Sequence, residues 1–391
     1  MKILVISGQW YPDDVGGVGR VARVTAESLA QRGHAVTLLI PRAGAAPALS
    51  IVNGVRVHRA LRRSILPQTF TDIYEVRRAL RGGGLDRPDV ILAHGDTCAT
   101  AALSAGSPAP TALVFHASGY RESRHRRTTG LSTIERWRAL SLEPTLHMLE
   151  RFALRRADRI LTLSAFSRSL VLDELPAAAP NVEVVGGGVD TAFFTPARDR
   201  AALRQRLAVS SDRPLLLTVR RLVGRMGVGT LIDAVALLRD RVPLRLVIVG
   251  DGELRGSLEE HRERLGLRGS IDFVGRASDT ALRDWYRAAD LFVLPTVAYE
   301  GFGMVTAEAL SCGTPVVGTR VGATAELLTP LDEDLLTTAA DARSLAETMA
   351  KALLGDNSDR RAQCRRYAEQ SLSWNAVIPR WEAALADLLA D

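Results

Sequence analysis

The chain has 391 residues, 47% of them hydrophobic and 24% charged, which excludes a disordered polypeptide and is more than one hydrophobic core usually organises, so two domains are predicted. Fifty basic and 44 acidic residues leave a net charge of +6, but the arginines are dispersed among acids, as in a GC-rich bacterial genome, without a basic stripe or stacking aromatics, and nucleic acid is not expected as a partner. Three cysteines without metal-ligand spacing, no apolar run of 18 residues and too short an apolar start for a signal peptide predict a protein of the reducing cytoplasm that spans no membrane.

In chain order, residues 3–7, 35–40, 90–93, 112–115 and 160–163 are apolar runs of strand composition. Between the first two, Val18, Val21, Ala22, Thr25 and Leu29 recur at helical spacing and Gly33 supplies a stop. A second series follows at 215–219, 244–249, 271–274, 291–294 and 315–317, again with helical segments between the runs. Such alternation predicts an α/β protein with parallel sheets covered by helices on both faces. The break between the series, 186–198, is rich in Gly and Pro and reads as an interdomain hinge. The domains expected are 1–190 and 191–371, with a helix in 372–391 that packs back onto either half.

The most informative stretch is 299–310, YEGFGMVTAEAL, between the strand-like 291–294 and Gly313-Thr-Pro. Gly301 and Gly303 free the backbone at a strand end, and 304–311 has helical composition. Amides at a helix start attract an anion, whereas Glu300 and Glu308 accept hydrogen bonds and suit hydroxyls. A ligand with both phosphate and polyol fits; a turn with two solvated glutamates is the plain alternative. Gly16, Gly17 and Gly19 likewise precede a helix, and 17–22 formally matches G-x-G-x-x-A. Eight residues separate the strand from these glycines and the second strand ends in Pro41-Arg42 rather than an acid, which argues against a dinucleotide.

Arg220, Arg221 and Arg225 follow the strand 215–219, and guanidinium forks suit a diphosphate; solvated loop arginines are the alternative. Gly250-Asp251-Gly252 is a second turn at a strand end, open to a ligand role or to a purely structural one. His116 closes the strand 112–115 and His94 the strand 90–93, positions where a histidine is either catalytic or structural. Asp332-Glu333-Asp334 has a D-x-D pattern but no strand leads into it, and it reads as a solvated loop.

Together these residues resemble the retaining glycosyltransferases of family GT4, over essentially the whole length. The resemblance rests on Gly16-Gly-Val-Gly19, LTLSAFSR at 161–168, GGGVDTAFF at 186–194, LLTVRRLVGRMG at 216–227, LVIVGDGE at 246–253 and the E-x7-E motif EGFGMVTAEAL at 300–310. It implies the GT-B fold, two Rossmann-like parallel-sheet domains facing across a cleft. It further implies a nucleoside-diphosphate sugar, UDP- or GDP-linked, bound in the second domain, with Glu308 on the ribose hydroxyls and Glu300 beside the donor sugar. Phe302, Gly303, Met304 and Val305 would face sugar or phosphate through their amides, and Arg221 would bind the diphosphate. Residues 16–19 would close over the phosphates, His116 would lie near sugar and acceptor, Phe273 to Arg276 would border the base, and Gly250 would belong to the donor site. The sequence departs from the family at Arg220, where a glycine is usual, and at Met226, where a lysine is usual; Arg220 or Arg225 is expected to supply the missing cation.

The activity so implied is hexosyl transfer with retention, the departing phosphate assisting same-face attack, and with cations and helix amides stabilising the leaving diphosphate no metal or other cofactor is expected. A sugar-nucleotide epimerase of the same architecture is the alternative. The acceptor, a small molecule, saccharide or lipid, would be met by the first domain near 10–15, 61–74 and 119–133. Arg62, Arg63, Arg77, Arg78 and Arg81 among Ile65, Leu66, Phe70, Ile73 and Tyr74 form either a solvated face or a basic amphipathic surface that rests peripherally on anionic membrane.

Overall fold

A parallel strand covered on both faces needs an unbroken apolar run, and the runs 3–6, 90–93 and 215–217 are buried at every position. The computed structural model describes residues 1–11, 16–42, 47–61, 68–81, 85–106, 109–128, 133–210, 212–354 and 357–390. The chain divides into two compact units. The first comprises essentially residues 1–187 together with 377–391, the second essentially 188–376.

In the first unit the strands are β1 (Lys2–Ser7), β2 (Ala35–Pro41), β3 (Leu49–Val52), β4 (Val55–Leu61), β5 (Val90–His94), β6 (Thr111–Phe115), β7 (Arg159–Thr162) and β8 (Val182–Val184). Among the described residues they form an eight-stranded sheet ordered β3-β4-β2-β1-β5-β6-β7-β8, parallel except for the antiparallel β3–β4 hairpin. The second unit holds β9 (Leu215–Val219), β10 (Arg245–Val249), β11 (Ile271–Gly275), β12 (Leu291–Leu294) and β13 (Val316–Gly318), all parallel and ordered β11-β10-β9-β12-β13. Each sheet is doubly wound: the chain builds outward from one central strand, returns and builds the other way. The order reverses between β1 and β5 in the first unit and between β9 and β12 in the second, and such reversals open a crevice at the strands' carboxyl ends.

All ten strands expected from apolar runs are present, and three more appear. The hairpin of β3 and β4 turns on Asn53 (φ 47°) and Gly54 (φ 82°), the two positive-φ residues of a type I′ turn, so the Asn-Gly dipeptide carried a readable signal. The short β8 has no such mark; Val182 and Val184 join the sheet edge only through pairing with β7. The helix Gly17–Gln31 buries Val21, Ala22, Thr25 and Leu29 as their spacing predicts, and Gly33 follows it at φ +91°. The helix Trp374–Ala390 begins in the second unit and from Val377 onward belongs to the first. There Trp381 is fully buried, donating from Nε1 to the Gly186 carbonyl at 3.0 Å, while Glu382 pairs with Arg32 at 2.5 Å and His34 at 2.7 Å. Where the chain passes between units, Val189 and Ser373 bridge as neighbouring strands inside the second unit, and Gly188 leaves room for the Trp374 indole.

Candidate active site

In the second unit β9 pairs with β12 only through Leu216 and Leu217, whereas its pairing with β10 continues to Val219. Beyond that short ladder lie the loops that carry the predicted residues. Glycines let these loops nest. A Cβ on Gly250 (φ +137°) would sit 1.8 Å from the Arg220 carbonyl oxygen, and one on Gly227 (φ +68°) 1.8 Å from that of Pro295. Gly250 and Gly252 therefore serve close backbone approach.

Arg220 and Glu300 meet in this nest. Arg220 Nη2 donates to Glu300 Oε2 and to Thr296 Oγ1, and Thr296 Oγ1 donates to the same carboxylate oxygen at 2.9 Å. Both charged side chains are nearly sealed, with 5% and 11% of their surfaces exposed. Burial favours the neutral acid, but the adjacent Arg220 guanidinium, its hydrogen bond and that of Thr296 outweigh it, so the Glu300 carboxyl titrates below its ordinary value. Arg225 donates from Nη1 to the Tyr299 carbonyl at 3.0 Å, and its own carbonyl accepts from Val297 N–H at 2.9 Å, fastening the 220–227 loop to the motif. Tyr299 itself sits at φ +55°. Arg221 is exposed and has no ion pair or side-chain hydrogen bond among the described residues.

The helix Met304–Ser311 starts from Gly303 at φ +87° with no side-chain cap, so its first N–H groups have no intrahelical partner. Phe302 is buried beside it. About one turn into the helix, Glu308 is 3% exposed and accepts from the Tyr286 hydroxyl at 2.9 Å. Arg276 lies out in solvent, 3.8 Å from Asp251. The structure thus gathers Arg220, Arg225 and Glu300 with Thr296, and Glu308 with Tyr286. Thr296 and Tyr286 were missed by sequence reasoning: the threonine at a strand's carboxyl end offered a weak signal, the tyrosine in an amphipathic helix none.

Gly16, Gly17, Gly19, His94 and His116 belong to the first unit. Gly16 and Gly17 open the helix Gly17–Gln31, and a Cβ on Gly19 would come within 3.1–3.2 Å of the Gln9–Tyr11 backbone, so that glycine also serves packing. His94 Nδ1 and His116 Nε2 share a hydrogen bond of 3.0 Å at the carboxyl ends of β5 and β6, and the His94 ring stacks 6.3 Å from Trp381. Burial lowers the His116 pKa to about 4 and that of His94 well below its usual value, so both are neutral at pH 7. Behind them Ser118 Oγ reaches both carboxylate oxygens of Glu150 at 2.8 and 2.9 Å, and burial, with Asp96 nearby, pushes that carboxyl up to about 7.

Asp332 caps Asp334 N–H and pairs with Arg360, and Asp334 pairs with Lys351, as befits a surface loop. No group of three or more His, Cys, Asp or Glu arranged for a metal occurs among the described residues. No helix there is long and apolar enough to cross a membrane. Residues 12–15, 62–67 and 129–132 of the expected acceptor region, including Arg62, Arg63, Ile65 and Leu66, lie outside the described residues.

Two family models match the chain, "Glycosyltransferase Family 4" over residues 15–193 and "Glycosyl transferases group 1" over residues 199–371, and so take in both units. The chain belongs to glycosyltransferase family 4. This family 4 glycosyltransferase is 28% identical over 336 residues to an uncharacterized glycosyltransferase of Methanocaldococcus jannaschii, covering 84% of this chain and 83% of that one. Among solved structures it is similar to a sucrose-phosphate synthase from Thermosynechococcus elongatus (TM-score 0.81, 21% identity, 100% of this chain and 99% of that). It is also similar to the Anabaena HepE protein solved with UDP-glucose (TM-score 0.74, 20% identity, 99% and 100%). The fold of the family 4 glycosyltransferase is accordingly GT-B, two parallel-sheet α/β domains.

Proposed function

We propose that this glycosyltransferase moves a hexosyl group from a nucleoside-diphosphate sugar, UDP- or GDP-linked, to an acceptor with retention of anomeric configuration and without a metal. One observation carries the reading: at the switch point of the second unit the exposed Arg221, without an ion pair or side-chain hydrogen bond among the described residues, and the buried Glu300 lie on loops beside an uncapped helix start, and that helix carries a second buried carboxylate, Glu308. Cation and amides suit a diphosphate, carboxylates suit hydroxyls, and a nucleotide sugar has both. The likeness to a structure holding UDP-glucose supports the same class of donor.

In this reading Glu308, braced by Tyr286, accepts from the ribose hydroxyls, and Glu300 faces the transferred sugar. Cleavage of the anomeric bond leaves negative charge on the diphosphate, which Arg221 and the amides of Gly303 to Val305 stabilise. Arg225, which donates to the Tyr299 carbonyl, is the nearer candidate for a second cation, because Arg220 is engaged with Glu300. His116, neutral at pH 7, is available as a hydrogen-bonding group on the acceptor side. With no carboxylate assigned to the opposite sugar face, the departing phosphate accepts the acceptor's proton and attack occurs on the face it leaves.

Thermal-shift titration with UDP, GDP, ADP and dTDP sugars tests the donor: a bound nucleotide raises the melting temperature with the logarithm of its concentration, and no shift with any of them refutes the reading. Anomeric NMR of the product tests the stereochemistry, inversion being incompatible with it. Turnover abolished by excess EDTA and restored by Mn²⁺ or Mg²⁺ would overturn metal independence.

A further inference from the structure

We infer that Arg220 determines which sugars the donor site accepts: with Glu300 it forms a charge-balanced pair that reads an uncharged hexose through one hydrogen-bond donor and one acceptor, and it disfavours sugars bearing a carboxylate. The inference rests on the donor reading above. Only one nitrogen of the guanidinium, Nη2, and one oxygen of the carboxylate, Oε2, are engaged with each other, and Thr296 Oγ1 bonds those same two atoms. The contact is therefore monodentate, and Arg220 Nη1 and Glu300 Oε1 keep no partner among the described residues. Neither is among the unpartnered atoms sealed from solvent, as Arg220 Nε is.

A guanidinium N–H only donates and a carboxylate oxygen only accepts. Two neighbouring ring hydroxyls satisfy both atoms at once, one accepting from Nη1 and the other donating to Oε1. A sugar carboxylate would satisfy Nη1 but set a second anion against Glu300; an amino sugar's ammonium would do the reverse against Arg220. With both side chains almost wholly buried, an uncompensated charge is expensive there, whereas a neutral diol leaves the pair balanced.

Calorimetric dissociation constants decide the matter without needing the acceptor. The nucleoside diphosphate that binds best among UDP, GDP and ADP is chosen, and its hexose and hexuronate derivatives are compared on the full-length protein. For the wild type the hexuronate donor is expected to bind at least tenfold more weakly than the hexose donor. Glu300→Gln, which leaves Arg220 unbalanced, should reverse that preference; Arg220→Met, which leaves Glu300 unbalanced, should widen it. The double variant R220M/E300Q removes both charges and should bring the two donors within threefold, and it decides the question alone if either single variant fails to fold, as its melting curve will show. A preference that the double variant leaves unchanged overturns the proposal. So does a loss in Arg220→Met that is as large for the nucleoside diphosphate alone as for its sugars, since Arg220 would then be a diphosphate cation. Absence of any nucleotide binding by the wild type would refute the donor reading itself and this inference with it.

Discussion

Arg221 is exposed and without an ion pair among the described residues, while its neighbour Arg220 is buried and engaged with Glu300, so two adjacent arginines of identical chemistry sit in different environments. Replacement of Arg221 by Ala should lower turnover about 100-fold, by analogy with removal of one oxyanion donor, with little change in melting temperature; steady-state kinetics and a melting curve check both. In the first unit the protonation of a half-buried histidine and of a buried carboxyl oppose each other. His116 has a pKa depressed to about 4, so its stabilising contribution is present above its ordinary 6.5 and is lost as pH falls toward 4. Glu150 has a pKa raised from 4.5 to about 7, so its contribution is complete below 4.5 and is lost as pH rises through 7. Glu150→Gln, neutral at every pH, should therefore raise the melting temperature relative to wild type more at pH 8 than at pH 5. An equal difference at both pH values would show that the carboxyl is not ionising in that window.

The elements of the second unit are held in register by glycines whose missing side chains admit a neighbouring carbonyl. Gly250→Ala would place a methyl 1.8 Å from the Arg220 carbonyl at a φ of +137°, forcing the Arg220 loop to move. A destabilisation of about 3 kcal/mol or more is expected, a loss of roughly 6–12 °C in melting temperature for a unit of this size, together with loss of donor binding because Arg220 and Arg221 move with the backbone. The same turn illustrates what a sequence shows at this scale. Ten strands were legible because parallel strands are continuous apolar runs, and the helix Met304–Ser311 because glycines precede its apolar helix-formers. The close approach of Gly250 to the Arg220 carbonyl was not, since a glycine needed for a ligand and one needed for a carbonyl leave the same letter.

At the scale of the whole molecule, the chain returns to the first unit for its last fifteen residues. Val377, Ile378, Trp381 and Leu385 are each at most 3% exposed, and burying four such side chains is worth roughly 6–12 kcal/mol, comparable to the entire stability of a domain. A chain ending at Ala376 should therefore lose its cooperative unfolding transition in the first unit and bind a hydrophobic dye, while calorimetry should still record the transition of the second unit. Gly188→Val should act more mildly on the second unit, because a Cβ there would meet the Trp374 indole at 2.7 Å.

Local order and chemical type were determined by the sequence alone: alternating apolar runs and amphipathic spacings require an α/β chain, and two glutamates beside a glycine turn, with arginines at another strand end, point to a ligand with hydroxyls and phosphate. Tertiary structure decided the pairings. Arg220, Thr296 and Glu300 are 76 and 80 residues apart in the chain as counted from Arg220, and they meet only because β9 and β12 lie side by side at the reversal of the sheet. Tyr286 reaches Glu308 for the same kind of reason, across the packing of two helices. A hydrogen bond depends on where donor and acceptor lie in space, and no spacing along the chain encodes that position until the sheet order is known.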